Sequence, residues 1–169
     1  MTVSMIWAQD RNRVLGTGSG MAWHVPDDFK FFKRSTMGAP VIMGRASWEA
    51  LGAKPLPGRR NFVLTSQADY CAAGAIVCTS LEDALAQAKW ASDQVWIAGG
   101  GKVYQQGMAL ADELVVTSLD LELPAGGQWV YAPKIDEDVW AVDSQRSDST
   151  WRAKSGDARW KVTYFLRRK

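Results

Sequence analysis

Six runs rich in apolar and β-forming residues recur along the chain, at 3–9, 40–43, 61–65, 75–78, 94–98 and 113–121, with helical patterns between most of them. No other feature restricts the fold as much. Short, nearly continuous apolar runs read as strands buried on both faces, the mark of a parallel sheet. Parallel neighbours need crossover connections, and the helical segments at 26–36, 46–51, 80–91 and 102–109 supply them. Segments at about 139–146 and 158–167 alternate apolar and polar residues in the antiparallel manner. The expected fold is α/β: a single domain over residues 1–169, with a central mostly parallel sheet. Antiparallel strands form its C-terminal end and about four helices flank it. At 169 residues such a domain can bury a proper core.

Local punctuation agrees with this reading. Pro26 suits the first turn of the first helix. Ser80 can cap the third, with Asp83 three residues on. Loops concentrate at 10–25, with Gly16, Gly18 and Gly20, and at 122–133, with Pro124, Gly126, Gly127 and Pro133. Long loops in a compact domain often act as lids or binding loops.

Charge and composition exclude several classes of function. A net charge of +2 is too small for a nucleic-acid footprint, and the dense basic run is confined to Arg167, Arg168 and Lys169. A mild positive bias still suits an anionic small substrate. No apolar stretch has the length of a membrane span or the setting of a signal peptide. The two cysteines, Cys71 and Cys78, match no metal or redox spacing, and a single histidine excludes a multi-histidine site. The expectation is a cytoplasmic protein with free thiols, no metal, no nucleic acid and no membrane partner. The nine tryptophans read mainly as packing residues.

Chemistry concentrates in four segments. In the first helix Lys30, Lys33 and Arg34 mark a wet face, and Phe29 and Phe32 the opposite one. Asp28 lies four residues before Phe32 and shares its side. It is either a charge at the helix start or a carboxylate buried among aromatics. A buried carboxylate needs a partner, and without one in the protein a ligand is the natural candidate. The second segment, Gly99-Gly100-Gly101-Lys102-Val103-Tyr104, follows a strand and opens a helix. It is either a tight turn or a site where backbone N–H groups meet phosphate. Val103 excludes a Walker loop, and Tyr104 breaks the dinucleotide-binding glycine pattern. Val41 to Glu49 forms another strand–glycine–helix junction, where Arg45 and Ser47 could meet phosphate. Two such junctions in a small domain point to a dinucleotide. In Pro55-Leu56-Pro57-Gly58-Arg59-Arg60 a rigid turn presents two arginines, either an exposed basic turn or a clamp for a carboxylate.

Taken together these segments resemble the dihydrofolate reductase family, in its bacterial form. The resemblance rests on Ile6-Trp7-Ala8, Met21-Ala22-Trp23-His24-Val25-Pro26-Asp27-Asp28, Phe32-Lys33-Arg34 and Val41-Ile42-Met43-Gly44-Arg45. It continues through Pro55-Leu56-Pro57-Gly58-Arg59, Leu64-Thr65-Ser66, Gly99 to Tyr104 and Val116-Thr117, and thins toward the C-terminal end. The Trp-x-x-Pro-x-Asp element and the Gly-Gly-Gly-x-Val-Tyr turn are its most specific parts.

The resemblance implies reduction of dihydrofolate by NADPH, with hydride delivered to the pterin C6 and a proton to N5. It makes Asp28 the pterin-binding acid, Thr117 its hydrogen-bonded companion, Trp23 the holder of an ordered water, and Met21 part of the lid. Tyr104 joins these as a catalytic candidate. Ile6, Trp7, Ala8, Phe29, Phe32, Leu51 and Ala98 would line the substrate pocket, and Arg59 would hold the glutamate α-carboxylate. The cofactor would meet Ala8, Leu15, Gly16, Gly44, Arg45, Ala46, Ser47, Leu64, Thr65, Ser66, Gln67 and Thr79. On the other junction it would meet Gly99, Gly100, Gly101, Lys102, Val103, Tyr104 and Gln106. Gly99-Gly100 matches the family's cis glycine pair. Ala22, Ala46 and Lys102 replace a Pro, a basic residue and an Arg common in relatives. Preference for NADPH therefore falls to Arg45, Lys102, Thr65 and Ser66. His24 reads as a surface residue. A monomer inhibited by diaminopyrimidine antifolates is the expectation. Two alternatives stay open: a pyrimidine reductase of riboflavin synthesis, and a non-catalytic pterin- or nucleotide-binding protein.

Overall fold

The computed structural model describes residues 1–17, 20 and 22–169. Its centre is β1 (Thr2–Gln9), an apolar strand with neighbours on both sides. On one side β1 pairs in parallel with β6 (Gln94–Ile97), followed by β3 (Val41–Gly44), β4 (Asn61–Leu64) and β5 (Ile76–Cys78). On the other side it pairs in parallel with β7 (Glu113–Leu119). There β11 (Ala158–Arg167) runs antiparallel to β7, and β9 (Trp140–Val142) and β10 (Arg152–Ser155) pair with opposite ends of β11.

Alternation along the strands divides the core into two layers. Met5, Trp7, Ile97, Leu114 and Val116 face α3 (Leu81–Ala88) and α4 (Gly101–Gly107), with α3 burying Leu81, Ala84, Leu85 and Ala88. Ile6, Met43, Trp96, Val115 and Val162 face α1 (Pro26–Thr36) and α2 (Arg45–Ala50), which contribute Phe31 and Trp48. The chain builds outward from β1 to β5, returns at β6, and then crosses β1 to reach β7. Strand order therefore reverses at β1, and in open α/β sheets ligands bind beyond the C-terminal strand ends at such a reversal.

Several expectations are corrected. A small sheet of β2 (Val14–Gly16) and β8 (Val130–Tyr131) lies within the two long loops, which read as strandless. Pairs so short carry no periodic signal. The strand expected at 139–146 shrinks to β9, and that at 113–121 ends at Leu119. β10, the antiparallel partner of the first part of β11, was not anticipated at all. The dry face of α1 also differs. Phe31 is in the core, while Phe29 is 44% exposed, because Trp160 of β11 meets the Phe31 side of the helix. The remaining helices agree within two or three residues at each end, and Ser80 caps α3 by accepting from the Asp83 N–H at 3.1 Å. Cys71 and Cys78 are free. Among the described residues no helix is long and apolar enough to cross a membrane.

Candidate active site

The strand ends at the reversal carry the residues singled out above. α1 begins with Pro26 at its first turn and has no side-chain cap of its own. Asp28 sits one residue into that turn beyond Asp27, half-buried and facing β7. Its carboxylate accepts from the Thr117 hydroxyl at 2.7 Å. Thr117 is 2% exposed and lies in register with Ala8 of β1. Burial pushes the Asp28 carboxyl above its ordinary value; the Thr117 bond and the positive field of Arg152 pull partly the other way. Of the two earlier possibilities, Asp28 is thus the buried carboxylate, and exposed Asp27 is the charge at the helix start.

β1 fixes what can reach this cleft. Ile6 and Ala8 belong to the α1 side of the sheet, whereas Trp7 points to the other layer, its ring 5.2 Å from that of Tyr104. Trp7 can therefore line the cleft only with its main chain. The Tyr104 hydroxyl donates to the Ile6 carbonyl at 2.6 Å and ties the start of α4 to the end of β1. Burial holds this phenol protonated far above its ordinary value. Trp23 is buried, and its indole N–H lacks a partner among the described residues, as do those of Trp48 and Trp96. Met21 lies outside the described residues.

Beyond Asp28 the cleft follows α1 toward its C-terminal end. Phe32 is half-buried, and the Arg59 guanidinium lies 6.0 Å from its ring centre. Arg59 is steadied by the Thr36 hydroxyl and the Pro57 carbonyl, each at 3.0 Å. Partial burial draws this guanidinium below its ordinary value, yet it stays cationic. Arg60 is exposed. Leu51, closing α2, is 48% exposed, and Ala98, just after β6, is half-buried.

The two strand–glycine–helix junctions touch. The Gly44 N–H donates to the Gly99 carbonyl at 2.7 Å. Gly99 has φ +131° and is joined to Gly100 by a cis peptide, as the resemblance implies. A Cβ on Gly99 would lie 2.7 Å from the Ser47 Oγ, and one on Gly44 3.1 Å from Val103. Only glycines allow the backbones of α2 and α4 to begin side by side. Neither helix carries a side-chain cap, and both begin at the Gly44–Gly99 contact. That arrangement suits the linked phosphates of a dinucleotide. Ser47 is half-buried, and Ala46, Ser66, Gln67, Thr79, Lys102 and Gln106 are exposed around the junction.

Arg45 stands at its edge. It donates to Glu49 at 2.9 Å and to Gln67 at 2.6 Å, and its guanidinium lies 4.4 Å from the Tyr70 ring centre. Tyr70 in turn donates to Glu49 at 3.0 Å. Sequence reasoning named Arg45 but missed Glu49 and Tyr70, which orient it. It also missed Asp10, whose carboxylate accepts from the N–H groups of Asn12, Val14 and Leu123 and joins the bases of the two long loops. The nearest signal was an acid placed directly after an apolar strand.

A sequence profile described as Dihydrofolate reductase matches residues 2–164. The dihydrofolate reductase of Neisseria meningitidis serogroup B is 44% identical over 167 residues, covering 99% of both chains. That of Mycobacterium tuberculosis is 41% identical over 159 residues, covering 93% of this chain and 88% of its own. Among solved structures, a dihydrofolate reductase from Enterococcus faecalis complexed with NADP(H) and RAB-propyl superposes with a TM-score of 0.89. It is 31% identical, covering 99% of this chain and 97% of that one.

Proposed function

The chain belongs to the dihydrofolate reductase family, and from that premise we propose how its cleft performs the reaction. It is an NADPH-dependent oxidoreductase that converts dihydrofolate to tetrahydrofolate for one-carbon metabolism. Bound NADPH supplies the hydride that C6 of the pterin accepts, and a proton from water completes N5. One hydride and one proton are taken up, and the C6–N5 double bond becomes single.

The protein's part is placement and proton handling. Asp28 receives the amide edge of the pterin, held in orientation by Thr117, and favours protonation of N5 by water. It is a buried carboxyl whose retained protein donor is one hydroxyl, which leaves the rest of its hydrogen-bonding capacity for the ligand. The Trp23 indole N–H is a donor suited to the water that hands over the proton. Phe32 packs against the benzoyl ring, and Arg59 clamps the α-carboxylate with its fork. Tyr104 acts by holding the end of β1 against α4. The N–H groups behind Gly44 and Gly100 take the pyrophosphate, and Arg45, Thr65 and Ser66 read the 2′-phosphate. The glycine cradle that a Cβ would fill is what fits this chain to a dinucleotide.

All these residues come from one chain, so no second copy is needed to complete the cleft. We take the enzyme to be a cytoplasmic monomer, and diaminopyrimidines to occupy the pterin place. The observation that carries the reading is the Asp28–Thr117 pair, on the same edge of the sheet as the glycine cradle. The test is NADPH oxidation with and without dihydrofolate, with NADH alongside, for the wild type and Asp28→Asn. Oxidation should require dihydrofolate, and at neutral pH the variant should be about 100-fold slower. The deficit should narrow as pH falls and the substrate arrives protonated. Wild-type turnover by Asp28→Asn at neutral pH would refute the assignment.

A further inference from the structure

The C-terminal hairpin of β10 and β11 grips the start of α1. Ser155 Oγ accepts from the Asp27 N–H at 3.0 Å, supplying from a distant strand the cap that the helix lacks. Asp157 accepts from the His24 N–H at 2.7 Å, and its own N–H donates to the His24 carbonyl at 2.9 Å. Gly156 at the hairpin tip has φ +59°, and a Cβ there would lie 2.1 Å from the His24 carbonyl oxygen. The hairpin and the segment leading to Asp28 therefore meet backbone to backbone.

Arg152 lies within this contact. Its guanidinium is 4.4 Å from the Trp160 ring centre and 5.6 Å from that of Phe31, one turn along α1 from Asp28. It forks onto Asp148 at 2.7 and 3.3 Å. Asp148 also accepts from the Val162 N–H at 2.9 Å, and Val162 is the register partner of Thr117. The cation is thus tied on one side to the helix that carries Asp28. On the other side it is tied to the strand next to the residue that donates to Asp28.

We propose that Arg152 is a positioning residue for the reaction: held by Asp148, Phe31 and Trp160, it fixes the first turn of α1 and supplies the positive field in which Asp28 works. Its relevance to turnover rests on Asp28 being the pterin-binding acid. Among the described residues, these groups surround Asp28. From β7 comes the neutral Thr117 hydroxyl. From β10 comes Arg152, held in turn by Asp148 of the loop before it. The Tyr164 phenol of β11, with the Arg146 guanidinium 4.5 Å from its ring centre, is raised by burial and lies in the field of Arg146 and Glu113 before that of Arg152 and Asp148. On α1 itself exposed Asp27 is 3.9 Å from Lys30. Arg152 is the charge that opposes the effect of burial on Asp28.

The sign of the coupling makes it testable. The carboxyl ¹³C shift of Asp28, assigned with Asp28→Asn and followed against pH in ligand-free enzyme, reads its midpoint whatever its role in turnover. Arg152→Met should raise that midpoint by about half a pH unit, and Arg152→Lys should restore it. Asp148→Asn keeps the cation but removes its neutralising partner, so it should move the midpoint down. Arg159→Met, an exposed arginine of the same hairpin paired with Asp120, should change nothing. The pH profile of kcat/KM for dihydrofolate should follow the midpoint, with KM for NADPH unchanged. An unmoved midpoint in Arg152→Met overturns the proposal. So do midpoints that move the same way in Arg152→Met and Asp148→Asn, the result of a merely loosened hairpin. If Arg152→Met does not fold, Asp148→Asn and Arg152→Lys still decide the sign. Failure of the Asp28→Asn activity assay is a separate result and concerns the role of Asp28 alone.

Discussion

Asp28→Asn should make the ligand-free protein more stable at neutral pH while removing most of its activity. The Asp28 carboxyl keeps one protein hydrogen bond, from Thr117 at 2.7 Å, and burial raises it above its ordinary value. The sign follows from linkage. Below the unfolded-state value, near 3.9, both states hold the proton and the group contributes nothing. As pH climbs from there toward the higher folded-state value, the unfolded chain releases its proton while the folded protein, whose surroundings prefer the carboxyl neutral, does not. The resulting cost is complete above that value. Asparagine keeps the shape and can still accept from Thr117, so it removes the cost of the charge but retains that of a half-buried amide. The net gain should be about 1 kcal/mol, discounted for partial exposure. In a domain of this size that raises Tm by about 2–4 °C. Thermal unfolding of both proteins without ligands, at about pH 8 and about pH 3, measures it. The gain should appear at the higher pH and largely vanish at the lower. A variant no more stable than the wild type at the higher pH, or equally stabilised at both, would show that Asp28 is not held against its ionisation.

Three further outcomes follow from the same geometry. Arg59→Ala should raise KM for dihydrofolate about tenfold or more, and Arg60→Ala should stay within about twofold, because Arg59 alone is steadied beside Phe32. A pterin without the glutamate tail should ignore Arg59→Ala, and equal effects on tailed and tailless substrates would end the clamp assignment. Arg45→Ala should weaken NADPH several-fold more than NADH, with the gap narrowing in added salt. Equal loss for both cofactors would move the 2′-phosphate reader to Thr65, Ser66 or Lys102. A 2,4-diaminopyrimidine should compete with dihydrofolate and bind Asp28→Asn about 10- to 100-fold more weakly, since its protonated ring makes a charge-assisted pair with the carboxylate. Matching affinities for the two proteins, measured by calorimetry, would exclude that pair.

What the sequence determined by itself is local. Pro26 at a helix start, the Ser80–Asp83 cap, and the two junctions at Gly44 and Gly99 depend on residues a few positions apart. Buried parallel strands declare themselves by runs of apolar residues, so the sheet and its crossovers were legible, and so were the residues at the strand ends. Tertiary structure decided what depends on distant partners. The helical pattern of α1 could not say that Phe31 rather than Phe29 enters the core, because Trp160 makes that choice from the far end of the chain. Nor could it choose between a capping and a buried role for Asp28. That was settled by Thr117, 89 residues away, and by Ser155, which caps the helix from 128 residues away. The hairpin that carries Ser155 was missed because β10 is four residues long and half exposed, with Lys154-Ser155-Gly156-Asp157 as its one turn signal. Periodicity records which side of an element is dry. It does not record which element covers that side, since that contact forms only when chain segments far apart in sequence are brought together by burial of the common core.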